Sequence, residues 1–140
     1  MEFEDIRPFL EATHQAVVTT LQSNGAVQAS IVVAGAYEGA AAFVSIRGSS
    51  AKVRNLRRDA RCTVLTVTDG WRSYAVVEGT AQLFDASNTD SEQLRVLLRA
   101  VYGACGGGEH PDWEEYDQVM RQQKAVAVLV QPERIYGLLR

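Results

Sequence analysis

The sequence predicts a mainly β fold, a small antiparallel β-barrel with helices added at set points. Three observations predict it. Segments rich in β-branched residues, some with clear two-residue alternation, recur from Ala16 onward. Turn dipeptides such as Asn24-Gly25 and Asp69-Gly70 separate them. A helical period appears only in short stretches. The 140 residues are the length of one domain, residues 1–140, and 46% apolar with 22% charged residues excludes a disordered chain.

Each element has a local reason. Phe3 to Leu10 is weakly amphipathic and reads as a short helix. Ala16 to Leu21 and Val27 to Val33 read as a hairpin around Asn24-Gly25, a pair that tolerates positive φ. Gly35 and Gly39 bracket the next turn, before a third strand from Ala41 to Ile46. Ser49-Ser50 caps a short helix ending near Asp59, with Val53 and Leu56 on its inner side. Arg61 to Thr68 is a fourth strand and Trp71 to Phe84 a fifth. In the fifth, Ala75, Val77, Gly79 and Ala81 alternate with Tyr74, Val76, Glu78 and Thr80. Leu94, Leu97, Leu98 and Val101 mark a helix within 87–101. Gly103 to Gly108 reads as a flexible break, and Pro111 as the first residue of another helix. That helix has acids at its start and Arg121 and Lys124 at its end, which suits its dipole. Ala125 to Val130 is a final strand, continued by Arg134 to Leu139.

Charge narrows the function. The chain is acidic overall, at net −3, yet Arg47, Lys52, Arg54, Arg57, Arg58 and Arg61 stand within fifteen residues beside one acid, Asp59. Nucleic-acid binding needs a broad positive face, so this pattern suits a grip on one small anion. The acidic start, Met1 to Asp5, is unlike a signal peptide, and no apolar run approaches the roughly 20 residues of a membrane helix. The expectation is a cytoplasmic protein with neither membrane nor nucleic acid as partner.

Other chemistry is thin. Cys62 and Cys105 are too few for a zinc site, and His14 and His110 lack ligand spacing, so no metal is expected. Ser49-Ser50-Ala51-Lys52 matches an acyl-enzyme string, but its companion motifs are missing. Glu78 reads as a structural or solvent-facing carboxylate, and Gly106 to Gly108 match no phosphate loop. The serine-rich turn before Lys52 is the informative segment. It places free N–H groups at a helix start, and Lys52 and Asn55, three apart, share a face that can turn toward an anion.

The string Lys52-Val53-Arg54-Asn55-Leu56-Arg57-Arg58-Asp59, then Asp69-Gly70-Trp71 and Tyr74 to Leu83, resembles the pyridoxamine 5′-phosphate oxidase-like split β-barrel superfamily. More narrowly, it resembles the actinobacterial branch that uses the deazaflavin coenzyme F420. Gly108-Glu109-His110-Pro111-Asp112-Trp113, Tyr116 and Ile135-Tyr136-Gly137 are similar to the same branch. The resemblance covers almost the whole chain. It implies a six-stranded antiparallel split β-barrel of the FMN-binding type, working as a homodimer with cofactor in a groove between subunits.

The resemblance also implies the site. Lys52 stands where the family places its phosphate-binding lysine, with Asn55 in the same block. The loop Arg47 to Ser50, with Ser49, would wrap the phosphate and the polyglutamate tail, Ser45 and Ile46 would also bind the cofactor, and Trp71 and Tyr74 would lie near the deazaflavin from the partner strand. The implied activity is an F420-dependent reductase that passes a hydride to a small conjugated or planar substrate, with a proton from solvent or Tyr74. Two alternatives stand beside it. One is an FMN-dependent oxidase or flavin reductase, and the other a dimer that carries F420 without turnover.

Overall fold

A computed structural model describes all residues 1–140. The elements run α1 (Phe3–Ala12), β1 (Gln15–Leu21), β2 (Val27–Tyr37), β3 (Ala40–Ser45), α2 (Ala51–Arg58), β4 (Arg61–Val67), β5 (Tyr74–Phe84), α3 (Ser91–Tyr102), α4 (Trp113–Gln123) and β6 (Val126–Leu138). The six strands close an antiparallel barrel in the order β1-β2-β3-β6-β5-β4. This is the six-stranded split-barrel architecture that the sequence implied.

Alternation decides what lies inside. Ala16, Val18, Phe43, Val64, Ala75, Val77, Val126, Val128 and Val130 fill the interior. Ile6 and Leu10 from α1 and Val53 and Leu56 from α2 join the same core. Both short helices therefore act as plugs, and their few buried apolar side chains account for their stability better than intrinsic propensity does.

The outside of the barrel is covered on one side only. Ala40, Ala42, Val44, Ala127 and Leu129 project outward from β3 and β6 and lie under α3, α4 and the turn between them. Arg99 ties the two helices together through both oxygens of Asp117. That pairing holds the Asp117 carboxyl below its usual range, against the opposing effect of burial. On the remaining outer face Ile31 and Tyr136 are exposed, Val17 and Leu65 half-buried and Val76 buried. Ile31, Val17, Leu65, Val76 and Tyr136 stand opposite one another in register across five strands. Ile31 is 86% exposed.

Several boundaries differ from the sequence expectation, each for a local reason. The first hairpin uses a five-residue connection, closed by Gln22 and Ala26. Gly35 lies inside β2, and the turn is Glu38-Gly39 alone, with Glu38 at positive φ. A Cβ at Gly35 would stand 2.0 Å from the carbonyl oxygen of Ala104. The residue is small because the helical layer touches the barrel there. β5 begins at Tyr74, since Thr68 to Ser73 form a hydrogen-bonded loop that holds Trp71 at φ 63°. α3 begins at Ser91 because Asp90 accepts from the amides of Glu92 and Gln93. Asp112, one residue after Pro111, caps α4. The expected glycine break, Gly103–Gly107, is a kinked turn with Gly106 at φ 87°, and its Cys105 is buried and donates to Ala42. β6 continues unbroken through Pro132, where the pairing with β5 shifts register at Glu78/Gly79.

Asn55 is the main correction. Its predicted outward face does not exist, for it is only 7% exposed. Its Nδ2 donates to Thr20 Oγ1 at 3.0 Å and to Gln28 Oε1 at 2.9 Å, and its Oδ1 accepts from Arg58. Both amide hydrogens are spent fastening α2 to β1 and β2.

Two substitution tests follow from this packing. Gly35→Ala should cost about 3 kcal/mol in urea unfolding through overpacking against the Ala104 carbonyl. Gly39→Ala, with open space around it, should stay within about 0.5 kcal/mol. Asn55→Ala should lose about 1–3 kcal/mol, because Thr20 and Gln28 lose a buried partner.

Candidate functional site

The turn between β3 and α2 is built by its serines. Ser50 caps α2, its Oγ accepting from the Val53 amide. Ser45 Oγ donates to the Arg47 carbonyl and shares a hydrogen bond with Ser50 Oγ at 3.1 Å. Gly48 lets this turn dock on the end of α4, donating to the Gln123 carbonyl at 3.0 Å. A Cβ there would meet the Lys124 carbonyl oxygen at 2.1 Å. The turn is thus clamped between barrel and helix.

Beside it lies a cleft of about 840 Å³, a size suited to a small organic ligand. One end is polar, formed by Ser45, Arg47, Ser50 and Lys52. The other end is apolar and aromatic. Ile31, Val33, Val44 and Ile46 line it together with Tyr102, Cys105, His110, Tyr116, Val119 and Met120, and Glu115 is the one acid among them. Ile31 and Val33 also belong to the remaining outer face, so the cleft and that face are continuous.

The charges sort themselves. Arg54 donates to the Ser49 carbonyl, Arg57 to Asp85, Arg58 to the Leu21 carbonyl and Arg61 to Asp59. Arg61 holds the Asp59 carboxyl down to about 2. Four of the six cations read from the sequence are therefore occupied within the chain. Arg47 and Lys52, the two whose side chains have neither a hydrogen-bond nor an ion-pair partner in the chain, are the two that line the cleft. Burial pushes the Lys52 ammonium below the ordinary lysine value, with no carboxylate to offset it.

Of the expected site residues, Ser45, Ile46, Arg47, Ser50 and Lys52 come together on the cleft. Ser49 stands beside it with its carbonyl taken by Arg54. Asn55 turns inward. Trp71 and Tyr74 lie outside this chain's cleft, with Trp71 83% exposed. The aromatic end was missed. Its only sequence signals were the spacing of Tyr116, Val119 and Met120 on one helical face and the string around His110.

The reactive groups of that end are mostly neutralised. Burial pushes the Cys105 thiol up to about 12, and Cys62 inside the barrel likewise. Tyr116 is also pushed to about 12 by burial, with its hydroxyl donating to the Leu98 carbonyl. None of the three is a nucleophile or acid at neutral pH. Glu78 is paired with Arg134 at 3.2 Å, far from this chemistry in the chain's pairing scheme. No helix is long and apolar enough to cross a membrane.

Comparison with known proteins bears on this geometry. The conserved hypothetical protein Rv2991 of Mycobacterium tuberculosis superposes with a TM-score of 0.75 at 20% identity, over 99% of this chain and 84% of that one. A protein described as an F420 reductase superposes with a TM-score of 0.65 at 15% identity, over 93% and 94%. The heme storage protein HutZ of Vibrio cholerae gives 0.69 at 16%, over 99% and 96%. At such identities these likenesses establish the fold. The family model described as pyridoxamine 5′-phosphate oxidase matches residues 3–139. With nearly the whole chain matched and the barrel order in agreement, the chain belongs to the pyridoxamine 5′-phosphate oxidase-like split-barrel family.

Proposed function

We propose that this chain is an F420-dependent reductase that works as a homodimer and reduces a small conjugated or planar substrate. The observation that carries the reading is the pair of free cations. A half-buried ammonium without a counter-ion is unfavourable unless an anion completes it. Lys52 and Arg47, with the free first-turn amides of α2, form a donor set suited to a phosphate. The apolar strand wall of the same cleft, Ile31, Val33 and Val44, suits a planar ring. One molecule with an acidic tail and a flat head matches both. F420 and FMN share that outline, and the presence of an F420 reductase among the structural neighbours favours the deazaflavin.

When bound, the deazaflavin supplies the hydride. The chain's own residues bind and orient. Lys52 and Arg47 hold the anionic end, and Ile31, Val33 and Val44 exclude water from the flat one. The remaining outer face supports the dimer. The apolar row from Ile31 to Tyr136 is continuous with the cleft, and Trp71 is held exposed in a left-handed conformation that aromatic residues rarely adopt. A second copy seated on this face would bring its Trp71 and Tyr74 toward the first copy's cleft.

Fluorescence titration with F420 tests the reading. Micromolar binding is expected, and Lys52→Ala should weaken it by about 1–3 kcal/mol. Lys52 also fixes the pH dependence. Its pKa is lowered in the folded chain, so the free protein gains stability as pH rises through the window below the ordinary lysine value. Anion binding needs the charged form, so F420 affinity should fall across that same window and lose this fall in Lys52→Ala. Native mass spectrometry of the loaded protein separates F420 from FMN. In sedimentation experiments Ile31→Asp should convert a dimer to a folded monomer, since a side chain this exposed supports no fold contact of its own chain.

A further inference from the structure

His110 occupies a position at the aromatic end that the chemistry above leaves unused. Its Nδ1 lies 2.9 Å from the backbone nitrogen of Asp112. An amide N–H can only donate, so Nδ1 is the accepting nitrogen and the ring's proton resides on Nε2. Asp112 is the capping residue of α4, so the start of that helix sets the tautomer. The ring is also held sideways. Tyr102, Trp113 and Tyr116 surround it with centroids 5.4, 5.6 and 5.4 Å away. No protein group accepts from Nε2, and the ring borders the cleft. The neighbouring hydroxyl of Tyr116 and thiol of Cys105 are already donating to backbone carbonyls.

We infer that His110 is a substrate-binding residue whose Nε2–H is a fixed hydrogen-bond donor to the carbonyl oxygen of a planar, conjugated substrate. This rests on the reductase reading above and assigns the residue that orients its substrate. The balance is that of a conjugate reduction. The carbon β to the carbonyl receives the hydride with its electron pair from the reduced deazaflavin. The C=C pair moves toward the carbonyl carbon, and the C=O pair moves onto oxygen. His110 stabilises that developing charge through Nε2–H while keeping its proton, because a neutral imidazole is a donor here and not an acid. Water then delivers the proton to the α carbon. Tyr74, outside this chain's cleft, is not needed for that step.

The test uses the full chain without cofactor. Its probes are coumarin, a planar conjugated lactone, and naphthalene, which has two rings and no oxygen. Trp71 and Trp113 are the only tryptophans, so a Trp71→Phe background lets Trp113 quenching report binding beside His110. Coumarin should bind about tenfold tighter than naphthalene. His110→Leu should erase that preference, and His110→Gln, whose amide also offers N–H, should keep it within about threefold. Long-range nitrogen NMR of the unsubstituted ring should show a protonated Nε2 and a bare Nδ1. A protonated Nδ1, no coumarin preference in the parent protein, or an undiminished preference in His110→Leu overturns the inference. None of these readouts involves F420, so a failure of F420 to bind is recognised separately.

Discussion

The close approach of the helical layer to the barrel wall is the constraint on which the rest depends. Two backbone carbonyls, of Ala104 and Lys124, stand where Cβ atoms of Gly35 and Gly48 would be. Side chains at either position would lift the Gly103–Gly107 turn and the end of α4 off the strands. The first contact sets the depth of the aromatic end of the cleft. The second fixes the serine turn that leads into Lys52. Hydrophobic cover over β3 and β6 stabilises the layer, but these two contacts determine how near it comes.

Given that frame, electrostatics selects the site by subtraction. Arginines are abundant around α2, and most serve the fold. Arg57 anchors the helix to Asp85, and Arg58 and Asn55 bind it to the first hairpin. What remains without a partner is one pair of cations, Arg47 and Lys52, on a mostly apolar cleft. A local positive end on an acidic chain discriminates by position, since bulk charge would repel an anion and only the residual end attracts it. The strands beside the cleft complete the picture, because their apolar row is continuous with its wall.

Much of the fold was legible in the sequence. The interior residues of β5 and the inner pair Val53 and Leu56 follow from periodicity alone. Lys52 was also legible, through its place after a serine cap. Asn55 was not. Its spacing from Lys52 is right for a shared face, but a buried amide goes wherever it finds partners, and Thr20 and Gln28 offered them. The glycines before α4 looked like slack chain, because composition does not reveal that Cys105 and Val101 pull that turn against Ala40 and Ala42. His110 was weighed only as a metal ligand or as part of a family string, and its tautomer depends on an amide that becomes a helix cap only in the folded chain.

The amino-acid sequence by itself determined the strands, their inward faces, the plugging helices and the existence of a positive segment. These are properties of neighbours in the chain, written in periods of two and 3.6 residues and in local charge. Tertiary structure alone decided which cations stay unpaired, which side of the barrel is covered, and where an aromatic pocket forms beside the strands. Those outcomes depend on partners far apart in the chain, as Arg57 and Asp85 or Gly35 and Ala104 are, and no local pattern encodes such a meeting.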